Sequence, residues 1–137
     1  MIKRVFLLIP RKIRRIIRKF YFSNKKFGNV TIDKQAKIIA YSRNIQINSG
    51  TEIGANAVLS TEYGGEINIG KNCKIMNGAL LLSYGGKIQI GNNSSINPYC
   101  VIYGHGGLII GNYVRIAAHT VIIPANHRFD DPQKKIT

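Results

Sequence analysis

A glycine-containing block recurs along this chain about every 21 residues, the spacing of Gly65, Gly86 and Gly107, and this repeat restricts the folds that the chain can adopt. The copies span residues 63–70, 84–91 and 104–111, and the first two begin with Tyr-Gly-Gly. A period of this length is typical of one structural unit stacked on copies of itself. An aliphatic residue also recurs at about every sixth position in groups of three, which predicts a unit with three sides. These aliphatic residues are Ile47, Ile53 and Leu59; Ile69, Ile75 and Leu81; Ile90, Ile96 and Ile102; and Ile110, Ile116 and Ile122.

The lengths of these repeats favour a triangular prism. Three sides of six residues use roughly 18 residues of each coil, and the remainder fits a turn excursion at the Tyr-Gly-Gly corner, where glycine allows positive φ. Between Val30 and Ile123 the main signal is neither the spacing of a helix nor the alternation of a meander. The sequence therefore predicts an all-β fold, a parallel β-helix with an aliphatic column inside and short polar residues at its corners.

Two motifs carry a resemblance to a known family. Hexads of the form Ile-Gly-x-x-x-x occupy 53–58, 69–74 and 90–95, and the segment Pro-Ala-Asn-His-Arg-Phe-Asp-Asp-Pro occupies 124–132. Over residues 30–132 the chain resembles the hexapeptide-repeat acyltransferases, especially the sugar O-acetyltransferases of the galactoside and maltose type. The resemblance implies a left-handed β-helix, acetyl-CoA as acyl donor, and a site between two subunits of a homotrimer. The left hand comes from the resemblance alone, because parallel crossovers are usually right-handed.

The resemblance also implies a division of the chain and a catalytic residue. We expect a basic helical segment over 1–27, the β-helix over 28–125, and an active-site loop over 126–137. His127 corresponds by motif to the catalytic histidine of these enzymes. As a general base it would take the proton from a sugar hydroxyl that attacks the thioester directly. The expected role is O-acetylation in bacterial surface polysaccharide biosynthesis.

Further residues are candidates for binding the acceptor sugar. The resemblance suggests Asn97, although its Asn-Pro-Tyr context departs from the galactoside enzymes and most coil asparagines form hydrogen bonds at corners. Asn126 precedes His127 in the loop motif. Tyr63, Tyr84 and His105 occupy matching places in the repeat, so these three side chains are predicted to form a ladder that is either plain stacking or a wall for a sugar ring. We interpret the other coil histidine, at 119, as a solvated corner residue.

The family pattern continues beyond the loop. Its members add further Ile-Gly coils that form the pantetheine groove and supply the backbone donor for the oxyanion, whereas this sequence ends at Thr137. We therefore expect the acetyl-CoA half to lie outside the chain, either because it is a fragment of a longer enzyme or because it is a truncated relative. In either case these 137 residues alone are expected to be inactive.

The positive charge is concentrated at the N-terminus. The chain has 20 Lys and Arg against 6 Asp and Glu, and ten of the basic residues precede the first acid, Asp33. Residues 1–22 place apolar side chains at helical spacing around Pro10, which predicts a basic amphipathic α-helix that is too short in uncharged length to span a bilayer. This helix either lies peripherally on an anionic membrane, at the inner face of the plasma membrane of a cytoplasmic protein, or caps the first coil. Its apolar residues are Ile2, Val5, Phe6, Ile9, Ile13, Ile16, Ile17 and Phe20.

Other functions are less compatible with the sequence. No aromatic platform accompanies the basic segment, which argues against nucleic-acid binding. The spacing of the three histidines does not match a hydratase on the same prism, so no metal site is expected. Cys73 and Cys100 are 27 residues apart and are predicted to be buried thiols without a bridge. A noncatalytic, membrane-associated β-helix scaffold remains the alternative to the enzyme.

Overall fold

A computed structural model of the protein describes residues 29–40 and 44–125. These residues form short strands that pair in parallel within three sheets, which we name A, B and C. Sheet A contains β1 (Thr31–Ile32), β4 (Glu52–Ile53), β7 (Lys74–Ile75), β10 (Ser95–Ile96) and β13 (Arg115–Ile116). Sheet B contains β2 (Lys37–Ile39), β5 (Val58–Ser60), β8 (Leu80–Leu82), β11 (Val101–Tyr103) and β14 (Val121–Ile122). Sheet C contains β3 (Ile45–Ile47), β6 (Glu66–Ile69), β9 (Lys87–Ile90) and β12 (Leu108–Ile110).

The chain visits the three sheets in turn, and each strand pairs with its counterpart from the next coil. Ile75 pairs with Ile96, and Ile96 in turn pairs with Ile116. Successive turns of the chain therefore stack as a three-sided parallel β-helix, which confirms the fold predicted from the sequence. The left hand remains a prediction that rests on the resemblance.

The predicted aliphatic column is the core of the prism. Apart from Ile122, the residues predicted to point inward are at most 8% exposed, and most are fully buried. Each such side chain contributes about 1.5–3 kcal/mol on leaving water, so the column is the main source of stability. Ile122, in the last described strand, is only partly buried. The buried members are Ile47, Ile53, Leu59, Ile69, Ile75, Leu81, Ile90, Ile96, Ile102, Ile110 and Ile116.

The coils differ in length, which corrects the uniform period of 21. Ile45 pairs with Ile67, Glu66 with Lys87, and Ile88 with Leu108, so the offset between neighbouring coils falls from 22 to 21 to 20 residues. Each change in the offset occurs between sheet B and sheet C. For example, the pairs of β2 with β5 in sheet B still have an offset of 21, whereas the pairs of β3 with β6 in sheet C have an offset of 22. The corner between sheets B and C, which we name the BC corner, is thus the variable part of each coil.

Small polar side chains hold the corner between sheets C and A. Thr51 Oγ1 donates to the Gly70 carbonyl oxygen at 2.8 Å, and the Cys73 amide donates back to Thr51 Oγ1 at 3.1 Å. One coil later Cys73 Sγ donates to the Gly91 carbonyl oxygen at 3.0 Å. Cys100 is buried at a different corner, so both cysteines are free thiols, as predicted.

Two predicted segments lie outside the described residues: the N-terminal helix of residues 1–27 and the loop of residues 126–137. Within the described part of the chain the helical structure is a single 3-10 turn, Glu62–Gly64. No helix in that part is long and apolar enough to cross a membrane.

Candidate functional site

Four aromatic side chains meet at the BC corner and form what we name the aromatic wall: Tyr63, Tyr84, Tyr103 and His105. The Tyr84 ring is the centre of this group. Its centroid is 6.4 Å from that of Tyr63, 5.0 Å from that of Tyr103 and 6.1 Å from that of His105. The rings of Tyr103 and His105 are 5.8 Å apart. The predicted ladder of residues 63, 84 and 105 is therefore present, and it gains a fourth ring.

The turn excursion at the BC corner lifts two of these rings away from the prism. Tyr63 and Tyr84 have left-handed backbones, with φ of 63° and 45°, and each is followed by a glycine with φ of 85° or 80°. The sequence predicted positive φ for glycine here, but the tyrosines share it. As a result Tyr63 is 82% exposed and Tyr84 is 40% exposed. Such a conformation is uncommon for a bulky residue, and it turns each ring toward solvent.

Tyr103 was not predicted to belong to this group. It is the last residue of β11 and pairs with Leu82 one coil below. Its signal in the sequence was weak, because it occupies a strand position and not the repeated corner. Side chains alternate along a strand, so Tyr103 faces outward while its neighbour Ile102 is fully buried.

The environment of Tyr84 favours its neutral phenol. Desolvation raises the pKa of Tyr84 above its ordinary value of 10.0, and the neighbouring Tyr103, Tyr63 and Glu62 act in the same direction. At neutral pH the hydroxyl therefore keeps its proton and can both donate and accept a hydrogen bond. A neutral, partly exposed ring with a polar tip suits contact with an uncharged polar ligand such as a sugar.

A second group lies at the corner between sheets A and B, which we name the AB corner. The Tyr99 and His119 rings stack there, with centroids 5.3 Å apart and planes 18° apart. Both residues have left-handed backbones, and both are exposed. Tyr99 lies over Gly78, where an added Cβ would come within 2.6 Å of the ring. Asn97, which precedes Tyr99 by two residues in the sequence, is half-buried. His119 is a solvated corner residue, as predicted.

The candidate acceptor residues are thus divided between two corners. Asn97 precedes β11 at the AB corner, whereas Tyr84 and His105 belong to the BC corner that follows it. The strand between the corners rises about 3.3 Å per residue, so the groups are more than about 10 Å apart within one chain. Asn97 and the aromatic wall do not form a single cluster in one subunit, and their roles in binding remain predictions.

The outer face of sheet B, which joins the two corners, is apolar. After the exposed Lys37 in β2, the apolar Val58, Leu80, Val101 and Val121 pair successively along one outward column. Val121 is 59% exposed and the other three are half-buried. The corresponding outward column of sheet A is instead polar, and reads Thr31, Glu52, Lys74, Ser95 and Arg115.

The described chain returns to the BC corner at its end. Pro124 and Ala125 pass over Gly106, where an added Cβ would lie 2.6 Å from the Pro124 carbonyl carbon. Two candidate residues come next in the sequence, Asn126 and His127, and both lie outside the described residues. The aromatic wall is therefore at the corner that the chain reaches two residues before His127.

Comparisons with known proteins give a likeness to solved structures. No protein-family model matches the chain, and no curated protein matches it. The chain is similar to a solved structure of a mutant perosamine N-acetyltransferase from Caulobacter crescentus in complex with CoA and GDP-perosamine, with 13% sequence identity and a TM-score of 0.24. The match covers 87% of this chain and 65% of that one, so this chain spans less than two thirds of its length.

The described residues contain no group of three or more His, Cys, Asp or Glu side chains arranged to hold a metal ion. The recurring Ile-Gly hexads, the three parallel sheets and the buried aliphatic column agree with one another over residues 29–40 and 44–125. By its fold, the chain is a three-sided parallel β-helix whose coils carry Ile-Gly hexads.

Proposed function

We propose that the chain is part of an O-acetyltransferase that transfers an acetyl group from acetyl-CoA to a sugar hydroxyl in the synthesis of a bacterial surface polysaccharide. The observation that carries this proposal is the aromatic wall at the corner where the chain approaches His127. An exposed set of rings held by rigid coils suits a sugar ring, and reactive loops on rigid scaffolds are where catalytic residues concentrate.

The proposed chemistry needs one base. A sugar hydroxyl is a weak nucleophile at neutral pH, and histidine is the side chain best suited to removing a proton in this range, so His127 is the proposed base. The hydroxyl oxygen then forms a bond to the thioester carbonyl carbon, and the carbon–sulfur bond breaks. The imidazolium returns its proton to the departing thiolate, so His127 ends the cycle neutral. Tyr84 and His105 would hold the sugar ring, with Asn126 beside the base.

A trimer would bring the two corners together. Because Asn97 lies on one side of sheet B and the aromatic wall on the other, a neighbouring copy is needed for both to contact one acceptor. In this proposal the AB corner of one subunit faces the BC corner of the next across the groove, and the apolar face of sheet B lies between subunits. The acetyl-CoA groove belongs to the same proposal.

Replacement of His127 tests the mechanism directly. In the full-length enzyme, His127→Ala should lower kcat by about 10²–10⁴, because a general base acts mainly in the transition state. The KM for acetyl-CoA should change much less. Gln46→Ala is the control, since Gln46 is exposed on sheet C away from both corners, and it should leave turnover unchanged. Near-normal turnover of His127→Ala in a preparation that is active before mutation would show that the mechanism is wrong, and His105 would be tested next.

The alternative is a noncatalytic scaffold on a membrane, and the concentration of ten basic residues before Asp33 supports it. A basic amphipathic segment binds anionic lipid surfaces, and salt weakens that attraction. Cosedimentation with vesicles of phosphatidylglycerol and phosphatidylcholine, compared with phosphatidylcholine alone, tests this at two salt concentrations. Salt-sensitive binding together with no acetyl-CoA turnover by the full-length protein would favour the scaffold. Turnover in the same protein would favour the enzyme, with peripheral attachment at the inner face of the plasma membrane as its location.

A further inference from the structure

The aromatic wall extends along the axis of the prism across three successive coils. Tyr63, Tyr84 and His105 follow β5, β8 and β11, and their ring centroids are separated by steps of 6.4 Å and 6.1 Å. A pyranose ring is similar in size to a phenol ring, so a single sugar covers one of these rings and leaves the others uncovered. Two or more linked sugar units are needed to cover the wall.

The middle ring of the wall is held by its neighbours. Tyr103 meets Tyr84 edge to face, with centroids 5.0 Å apart and planes 88° apart. The turn that carries Tyr84 is tied to the turn one coil below, because the Gly85 amide donates to the Glu62 carbonyl oxygen at 3.3 Å. A surface that is ordered before a ligand arrives loses little conformational freedom on binding.

One carboxylate borders the wall without a cation. Glu62 directly precedes Tyr63, is half-buried, and forms no ion pair with a Lys or Arg of the described residues. Ser60 Oγ donates to Glu62 Oε2 at 3.2 Å, whereas Oε1 accepts no hydrogen bond from the described part of the chain. This oxygen can accept a hydrogen bond from a sugar hydroxyl or amide, and its charge repels a phosphate or a second carboxylate.

The charge of Glu62 acts on the wall itself. Desolvation is the main reason that the pKa of Tyr84 is raised, and the charge of Glu62 contributes to the same shift. Glu66, in the strand that follows, is instead paired with Lys87 at 3.6 Å, so these two charges offset each other. Single-stranded nucleic acid also stacks on ladders of aromatic rings, but such sites combine the rings with cations that bind phosphate. The charge at this wall has the opposite sign.

We propose that the aromatic wall binds two or three consecutive sugar units of an uncharged or amine-bearing glycan, and that Glu62 accepts a hydrogen bond from this glycan and excludes anionic sugars. The inference deepens the proposed function and rests on it, because it names the class of the acceptor. The acceptor is then an oligosaccharide chain, and not a monosaccharide or a sugar linked to a nucleotide diphosphate.

The length of the bound glycan is tested by NMR titration of the full chain. The tyrosine rings are labelled with carbon-13, and their signals are assigned with single Tyr→Phe variants. The probes are chitotriose, maltotriose and laminaritriose, which differ in linkage, and the monosaccharides N-acetylglucosamine and glucose. At least one trisaccharide should shift the signals of Tyr63 and Tyr84, with an affinity at least about fivefold above that of its monosaccharide, because it contacts a further ring. The signals of Tyr99 and Tyr113, which are exposed at other corners, should not move.

The role of Glu62 is tested by Glu62→Gln, which keeps the size of the side chain and removes its charge. The affinity at Tyr63 and Tyr84 should fall at least about threefold for the trisaccharide of glucosamine and rise at least about threefold for trigalacturonate. The basic N-terminal residues are the same in both proteins, so the difference between them isolates Glu62. Unchanged affinities for both charged trisaccharides would overturn the role of Glu62.

Tyr63→Asn tests the extended contact, with Tyr113→Asn as its matched control. Both tyrosines have left-handed backbones, with φ of 63° and 59°, and they are 82% and 76% exposed. Asparagine tolerates this backbone conformation, so both variants should fold. Tyr63→Asn should weaken binding of the trisaccharide at least about threefold and that of the monosaccharide less than about twofold, because the shorter ligand can use another ring. Tyr113→Asn should change neither affinity.

The results also distinguish this inference from the proposed function. Equal affinities for monosaccharide and trisaccharide, or no shift of Tyr63 and Tyr84 with any of the sugars, would overturn the extended site. A larger shift with oligothymidylate than with the trisaccharides would assign the wall to nucleic acid and would also overturn it. Acetyl-CoA turnover in the same full-length protein would then leave the proposed function standing. Length-dependent binding at the wall without any turnover would uphold the glycan site and overturn the proposed acetyl transfer.

Discussion

At the scale of single residues, two buried threonines have opposite hydrogen-bonding environments. Thr51 Oγ1 donates one hydrogen bond and accepts another, whereas Thr61 Oγ1 is buried with no partner among the described residues. A buried hydroxyl without a partner costs about 1–3 kcal/mol. We therefore expect Thr61→Val to raise the free energy of unfolding by about 1 kcal/mol and Thr51→Val to lower it by about 1–3 kcal/mol.

Urea denaturation of the two variants measures both changes against the unmodified protein. The two substitutions are chemically identical, and both side chains are fully buried, so each serves as the control for the other. A loss of stability in both variants would mean that Thr61 has a hydrogen-bond partner in solution.

At the scale of the secondary-structure element, each short strand contributes one inward side chain to a continuous column. Ile96 in β10 is fully buried between Ile75 and Ile116 of the neighbouring coils. Ile96→Asp would place an unpaired charge in this column, so we expect a loss of about 4 kcal/mol or more, which thermal unfolding would reveal. Gln46→Asp, on the exposed face of β3, should change stability by less than about 0.5 kcal/mol. An unchanged melting temperature for Ile96→Asp would contradict the β-helix.

At the scale of the whole molecule, the proposed trimer makes a prediction about sheet B. An apolar face next to the polar face of sheet A is the expected surface for association. Val101→Lys combined with Val121→Lys should therefore convert the trimer to monomers, with the fold intact because both residues face outward. Light scattering after size-exclusion chromatography measures the mass, and Gln46→Lys is the control on sheet C. A trimer that persists in the double variant would show that this face is not the subunit interface. A parent protein that is itself monomeric would show that the proposed groove between subunits does not form.

These scales also differ in how much the sequence could predict. The column of aliphatic residues followed from the spacing of six, because inward positions are selected by one strong requirement, burial. The ladder of Tyr63, Tyr84 and His105 followed from the 21-residue repeat. Tyr103 did not, because a tyrosine at the end of a strand carries no periodic signal. The separation of Asn97 from the aromatic wall could not be predicted either, since it depends on the corner of the prism at which each residue lies.

The changing length of the coils has a consequence for how this protein could be diversified. Successive coils differ in length at the BC corner while the spacing across the other two corners is constant, so this edge of the prism accommodates segments of different length. That edge carries the aromatic wall. New loops could therefore be grafted there to recognise different ligands without disturbing the core, much as variable loops are exchanged on a constant framework.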